Sequence, residues 1–120
     1  MDNKTTVEDL KNLVKTFCEQ RDWDQFHNPK ELAIGISTEA NELLQIFRFK
    51  NEEQMKELMS SNKKNEVQEE LADVVYFALR FAQMNDIDLS LAIIDKIEKN
   101  NAKYPVDKAK GCNKKYNEYK

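Results

Sequence analysis

Apolar side chains recur along the chain at three- and four-residue spacing, the period of a helix that buries one face. From about Thr6 to Gln20 that face reads Val7, Leu10, Leu13, Val14 and Phe17. A second stretch, from about Lys30 to Phe49, carries Leu32, Ile36, Leu43, Ile46 and Phe47. Pro29 stands just ahead of it, where a first-turn proline loses no intrahelical hydrogen bond. A third, from about Glu66 to Met84, keeps Val67, Leu71, Val74, Ala78, Phe81 and Ala82 in phase. Asn85-Asp86-Ile87-Asp88 reads as a turn, with Asp88 as N-cap of a fourth helix carrying Leu89, Ala92, Ile93 and Ile97. Pro105 ends that helix. Residues 51–64 are polar, with room for a short helical turn around Glu53 to Met59. The pattern predicts an all-α, four-helix bundle over residues 1–105, followed by a basic, loosely held tail over 106–120.

Composition narrows this without changing it. A chain of 120 residues with two Gly and two Pro suits one helical domain joined by short loops. The formal net charge is −3 and the basic residues are dispersed among acidic ones, so no nucleic-acid polymer is expected as partner. No run approaches the roughly 20 apolar residues of a membrane span, and no membrane partner is expected. Met1-Asp2-Asn3-Lys4 is followed by no apolar run, so no signal peptide is expected. Cys18 and Cys112 stand far apart and outside any CxxC pattern, as reduced thiols would in a cytoplasmic protein.

The informative polarity lies on the apolar stripes. Glu39 falls between Ile36 and Leu43, and Glu42 lies at the flank of the same stripe. Glu70 falls beside Val74 and Phe81, with Asp73 at that flank. A carboxylate facing a core is costly unless paired or bound to a metal. Four sharing one volume cannot all ionise without a cation. Oxygen ligands of this kind suit Mg²⁺ or Mn²⁺ and, through them, substrate phosphates. The competing reading is that these pairs are solvated acidic faces, which abound in so acidic a chain.

Two further groups stand out. Lys96, Asn100, Lys103 and Tyr104 continue the face of Leu89 and Ile93, as phosphate-facing groups or as a bundle end whose lysine reaches water. Trp23, Phe26 and His27 crowd the polar connector 21–29, with Phe49 at the far end of the second helix. Such rings stack on a base or plug the end of a bundle. The absence of E-x-x-H argues against a di-iron bundle. There is also no Walker-type loop and no G-x-S-x-G elbow.

These residues together resemble a known family. Glu39-Ala40-Asn41-Glu42-Leu43 and Glu69-Glu70-Leu71-Ala72-Asp73-Val74 resemble the E-x-x-E and E-x-x-D metal motifs of MazG-like all-α NTP pyrophosphatases. Lys96-Ile97-Glu98-Lys99-Asn100 with Lys103-Tyr104-Pro105 resembles the phosphate-side motif, and Arg21 to Lys30 is similar to the dCTP pyrophosphatase branch. The resemblance covers about residues 7–106 in order. It implies Glu39, Glu42, Glu70 and Asp73 as Mg²⁺ ligands, with Glu39 or Glu42 activating water. It implies Lys96, Asn100, Lys99 and Tyr104 on the phosphate and sugar side. Trp23, His27, Phe49, Tyr76 and Phe77 would then form the base and sugar pocket. It also implies a homodimer or homotetramer that completes the bundle.

Three positions depart from that branch, all in the base and sugar pocket: Phe49 where Trp is common, Phe77 where Tyr is common, and Val14 where a histidine can stand. The competing functions are a pyrophosphohydrolase of other specificity on the same scaffold (dUTP, phosphoribosyl-ATP or damaged nucleotides) and a non-catalytic helical interaction module.

Overall fold

The computed structural model describes residues 1–119, and all regular structure among them is helical. The order is α1 (Val7–Glu19), a 3-10 turn (Asp24–Phe26), α2 (Pro29–Phe47), α3 (Glu52–Ser60), α4 (Lys64–Met84), α5 (Leu89–Lys103), α6 (Val106–Ala109) and a second 3-10 turn (Tyr116–Glu118). The four expected helices correspond to α1, α2, α4 and α5. The short turn expected near residues 53–59 is the full helix α3, and α6 is an added single turn.

Local chemistry sets the helix starts. Thr6 and Asp9 form a reciprocal capping box at α1, and Asn51 and Gln54 form another at α3. Asn28 accepts from the Glu31 N–H ahead of Pro29, which occupies the first turn of α2. The α1, α2 and α4 exits pass through left-handed residues: Asp22 (φ 55°), Phe49 (φ 66°) and Asp86 (φ 53°). Aspartate tolerates that region, but a bulky aromatic does so at a steric cost.

The chain separates into two compact units, one up to Asp86 and one from Ile87 onward. In the first, α4 is the spine: α2 packs along it most extensively, α1 also packs on it, and α3 does so lightly. The buried apolar set is Cys18, Leu32, Leu58, Val67, Leu79 and Ala82. Leu32 and Cys18 are wholly excluded from solvent. Arg80, a charged residue, is buried among them at 1% exposure.

In the second unit, Asp88 caps α5 by accepting from the Leu91 N–H. No α5 residue is buried, and Leu91, Ile93, Ile94 and Ile97 are each more than half exposed. After Pro105 the chain is held by rings: Tyr104 lies edge-on to Tyr116 at 5.9 Å and to Tyr119 at 6.0 Å. The Lys103 ammonium sits 4.9 Å from the Tyr116 ring centre. Among the described residues no helix is long and apolar enough to cross a membrane.

Candidate metal centre and adjoining apolar pocket

The α2 and α4 faces that meet along the spine bring the acidic pairs together. Carboxylate oxygens of Glu39, Glu70 and Asp73 lie within 4.8 Å of one another. Glu39 and Glu70, from the middle of their stripes, are half-buried, whereas Glu42 and Asp73, from the flanks, are exposed. Glu42 adjoins both Glu39 and Glu70, and its side chain interacts with each. One buried oxygen on Glu39 and one on Glu70 have no hydrogen-bond partner.

The electrostatics follow from the crowding. The Glu39 carboxyl is pushed up to about 7, first by its contact with Glu42, then by burial, then by the charges of Asp73 and Glu70. Burial and then Glu42 push the Glu70 carboxyl up as well. Acids raised in this way lack positive charge. The ion pairs of Lys15, Lys30 and Arg80 go to Glu19, Glu31 and Asp24, not to any of the four. Orphaned oxygens, an all-oxygen donor set and mutual repulsion mark Glu39, Glu70 and Asp73, with Glu42 beside them, as a cluster that could hold a metal ion.

Next to this cluster lies a cavity of about 460 Å³ lined by Leu13, Val14, Phe17, Trp23, Asp73, Tyr76 and Phe77. Asp73 belongs to both features, so the pocket opens directly beside the acidic site. Its walls are aromatic: Trp23 and Tyr76 each stand edge-on to Phe17, at 5.6 and 6.0 Å. Tyr76 and Phe77 are edge-on at 5.0 Å. The Tyr76 hydroxyl is engaged by the buried Cys18 Sγ at 3.1 Å, and burial pushes its ionisation well above the usual phenol value. Gly35 of α2 admits the Phe77 ring so closely that a Cβ there would stand 2.5 Å from it.

The pocket residues expected from sequence divide in the structure. Trp23, Tyr76 and Phe77 line the cavity, and so does Val14, one of the positions that depart from the dCTP branch. Phe49 does not; it is 88% exposed, with the Arg48 guanidinium 4.5 Å from its ring centre. His27 stands behind the wall, edge-on to Trp23 at 6.2 Å, with Nδ1 accepting from the Arg80 Nε–H at 2.9 Å. Burial and then the neighbouring guanidinium lower its pKa. Lys96, Lys99, Asn100 and Tyr104 belong to the second unit: the two lysines and Tyr104 are exposed, and Asn100 is half-buried.

Sequence reasoning missed Arg80, Gly35 and Cys18. Arg80 had a visible signal, since it is the one charge within the apolar run from Val74 to Ala82. It also stands seven residues after Asp73, on the same helical face. Gly35 and Cys18 had none, because a close approach and a thiol–phenol contact exist only between helices.

The MazG-like family pattern matches residues 34–119, which include the whole acidic cluster. The chain belongs to the MazG-like family. This MazG-like chain is 34% identical over 114 residues to dCTP pyrophosphatase 1 of Homo sapiens, an alignment covering 94% of this chain and 67% of that protein. It is 33% identical over 115 residues to dCTP pyrophosphatase 1 of Bos taurus, covering 95% of this chain and 68% of the relative. A pyrophosphatase of Archaeoglobus fulgidus has a similar structure, with TM-score 0.77 and 37% identity over 82% of this chain and 91% of that one. The expected all-α MazG-like fold is the fold observed.

Proposed function

We propose that this protein hydrolyses a nucleoside triphosphate to the monophosphate and pyrophosphate, with dCTP or a modified dCTP preferred, in the cytoplasmic nucleotide pool. The observation that carries the proposal is the sharing of Asp73 between an unbalanced acidic cluster and an aromatic cavity. One feature fits phosphates bridged by a cation; the other fits a base. The similarity to proteins named dCTP pyrophosphatase 1 supports the same reading and its preferred base.

Glu39, Glu42, Glu70 and Asp73 would hold Mg²⁺, with Mn²⁺ as substitute. The bound cation supplies Lewis acidity to phosphoryl oxygens and balances charge on the leaving pyrophosphate. Glu39 or Glu42 accepts a proton from the attacking water, whose oxygen adds to phosphorus at the α–β bridge. The bridging bond breaks and pyrophosphate leaves with its electron pair. Trp23, Tyr76 and Phe77 exclude water from the base and offer it edges and faces. Lys96, Lys99, Asn100 and Tyr104 are proposed on the phosphate and sugar side from their sequence motif.

A homo-oligomer forms part of the proposal. Leu13, Leu44 and Leu71 of the first unit and Ile94 of the second are each at least half exposed. An oligomer would cover such side chains.

The deciding experiment is hydrolysis of each deoxynucleoside triphosphate and UTP with MgCl₂, with pyrophosphate and orthophosphate separated. The expected products are pyrophosphate and dCMP, with the other bases slower. Orthophosphate as product, or no turnover and no Mg²⁺-dependent shift in melting with any nucleotide, would overturn the proposal.

Gly35→Ala tests the wall of the pocket. Alanine gains about 1 kcal/mol of helix propensity, whereas overpacking costs about 1–3 kcal/mol. Phe77 borders the cavity, so its ring can yield toward that space. The expected result is a loss of up to about 2 kcal/mol of unfolding free energy, the overpacking cost less the propensity gain, with a raised KM for the triphosphate. An unchanged KM with a large loss of stability would mean that the backbone moved instead of the ring.

A further inference from the structure

Among the described residues Arg80 is the most deeply buried charge, and it takes no part in the acidic site. Its guanidinium donates three ways: Nε to His27 Nδ1 at 2.9 Å, Nη1 to Gln83 Oε1 at 2.6 Å, and Nη2 to Asp24 Oδ1 in a charge-assisted bond. Two of these partners, Asp24 and His27, lie in the connector between α1 and α2, and Asp24 directly follows Trp23. A buried guanidinium is costly unless its donors are satisfied. Arg80 can therefore stay buried only while the connector stays closed over it.

Trp23 is fixed from the same side. Its N–H donates to the Cys18 carbonyl at 3.1 Å, and its carbonyl accepts from the Phe26 N–H at 2.9 Å. Its ring meets Phe17 on one side and His27 on the other. Releasing Asp24 and His27 would free the turn on which Trp23 sits. Along α4, Asp73, Phe77 and Arg80 follow at spacings of four and three residues, on one helical face. That face carries a cation ligand, then a pocket wall, then the anchor of the opposite wall, over about 10 Å of helix rise.

We propose that Arg80 is a positioning residue for base binding: through Asp24 and His27 it holds Trp23 in place as the preformed wall of the pocket. The inference rests on reading that pocket as the base site. A single fork reaching two acceptors in the connector suits arginine; lysine has one nitrogen and cannot span them in the same way.

Trp23 is the only tryptophan in the chain, so intrinsic fluorescence reports on it alone. The variants are Asp24→Ala, which removes the half-exposed carboxylate and leaves the buried guanidinium its other two acceptors, and Arg80→Met. Each is measured in the full chain for melting, acrylamide quenching of Trp23, and steady-state hydrolysis of dCTP. The expected result in folded Asp24→Ala is stronger quenching and a red-shifted emission without ligand. KM should rise about fivefold to tenfold, part of what base–aromatic stacking supplies, with kcat within about twofold. Asp24→Asn, which keeps the acceptor oxygen, should restore most of the lost affinity. Arg80→Met should show the same split if it folds, and Asp24→Ala decides the matter if it does not. Unchanged emission and KM in Asp24→Ala, with an active wild type, overturns the inference and leaves Arg80 a residue of stability alone. A wild type that neither hydrolyses nor binds any nucleotide overturns the reading of the pocket itself, and the inference with it.

Discussion

Glu39→Gln is expected to retain the helical fold and lose at least about a hundredfold in kcat, the range for removal of a general base. The side chain keeps its size and its place between Ile36 and Leu43, so packing gives no reason for the fold to fail. What changes is charge and basicity. An amide cannot take the proton from water, and it contributes no negative charge to the cluster of Glu42, Glu70 and Asp73. Two effects should therefore separate in one variant. Without divalent cation its melting temperature should equal or exceed the wild type, because a repulsive group has gone. With cation it should gain less than the wild type does. Circular dichroism confirms the fold, pyrophosphate release gives kcat, and melting with and without MgCl₂ gives the rest. Near-wild-type turnover in a folded variant would remove Glu39 from the chemistry.

The second large effect is an inversion of pH dependence by the cation. In its absence the Glu39 carboxyl titrates at about 7 in the fold, against an ordinary value of 4.5, and Glu70 is shifted the same way. A carboxyl raised by folding stabilises the native state only while protonated. That contribution is complete below about 4.5 and is lost as pH rises through about 7. His27 works in the opposite sense, since its lowered pKa costs the native state stability at low pH and that cost is relieved as pH rises to 6.5, but it is one group against two. The melting temperature in EDTA should therefore fall between pH 5 and pH 8. Saturating Mg²⁺ should restore it at pH 8 and do little at pH 5, where the ligands are protonated. At a hundred times Kd the restored stability is about 2.7 kcal/mol by mass action. The slope in EDTA should flatten in Glu39→Gln, which separates the cluster from every other titrating group. Coincident profiles with EDTA and Mg²⁺ at both pH values would mean that the four carboxylates are ordinary surface acids.

Much of the fold is written in one-dimensional pattern, because a helix is a local structure. The three- and four-residue apolar spacing located α1, α2, α4 and α5. Side chains close in sequence set the boundaries: Asn28 with Pro29, and Asp88 with Leu91. The acidic pairs were legible for the same reason. A carboxylate on an apolar stripe must face whatever the stripe faces, and both Glu39 and Glu70 are half-buried. Helix α3 was under-read because its apolar face is short, with Met55 and Leu58 its inward residues, while a capping box supplies much of its definition.

What the sequence by itself determined is thus an all-α chain with two acidic pairs, each with one carboxylate on an apolar stripe and one on its flank. Tertiary structure alone decided how those pairs combine and what stands next to them. No spacing rule relates residue 73 to residue 23, yet Asp73 and Trp23 line one cavity because α1 and the connector fold onto α4. Phe49 and His27 read alike as pocket aromatics, yet one extends into solvent from a left-handed residue and the other accepts a hydrogen bond from a buried guanidinium. Arg80 carries the same lesson. Periodicity marks it as a charge out of place, but its partners lie more than fifty residues away in sequence. A helix fixes the direction of its own side chains, whereas the groups they meet are fixed only when other helices pack against it.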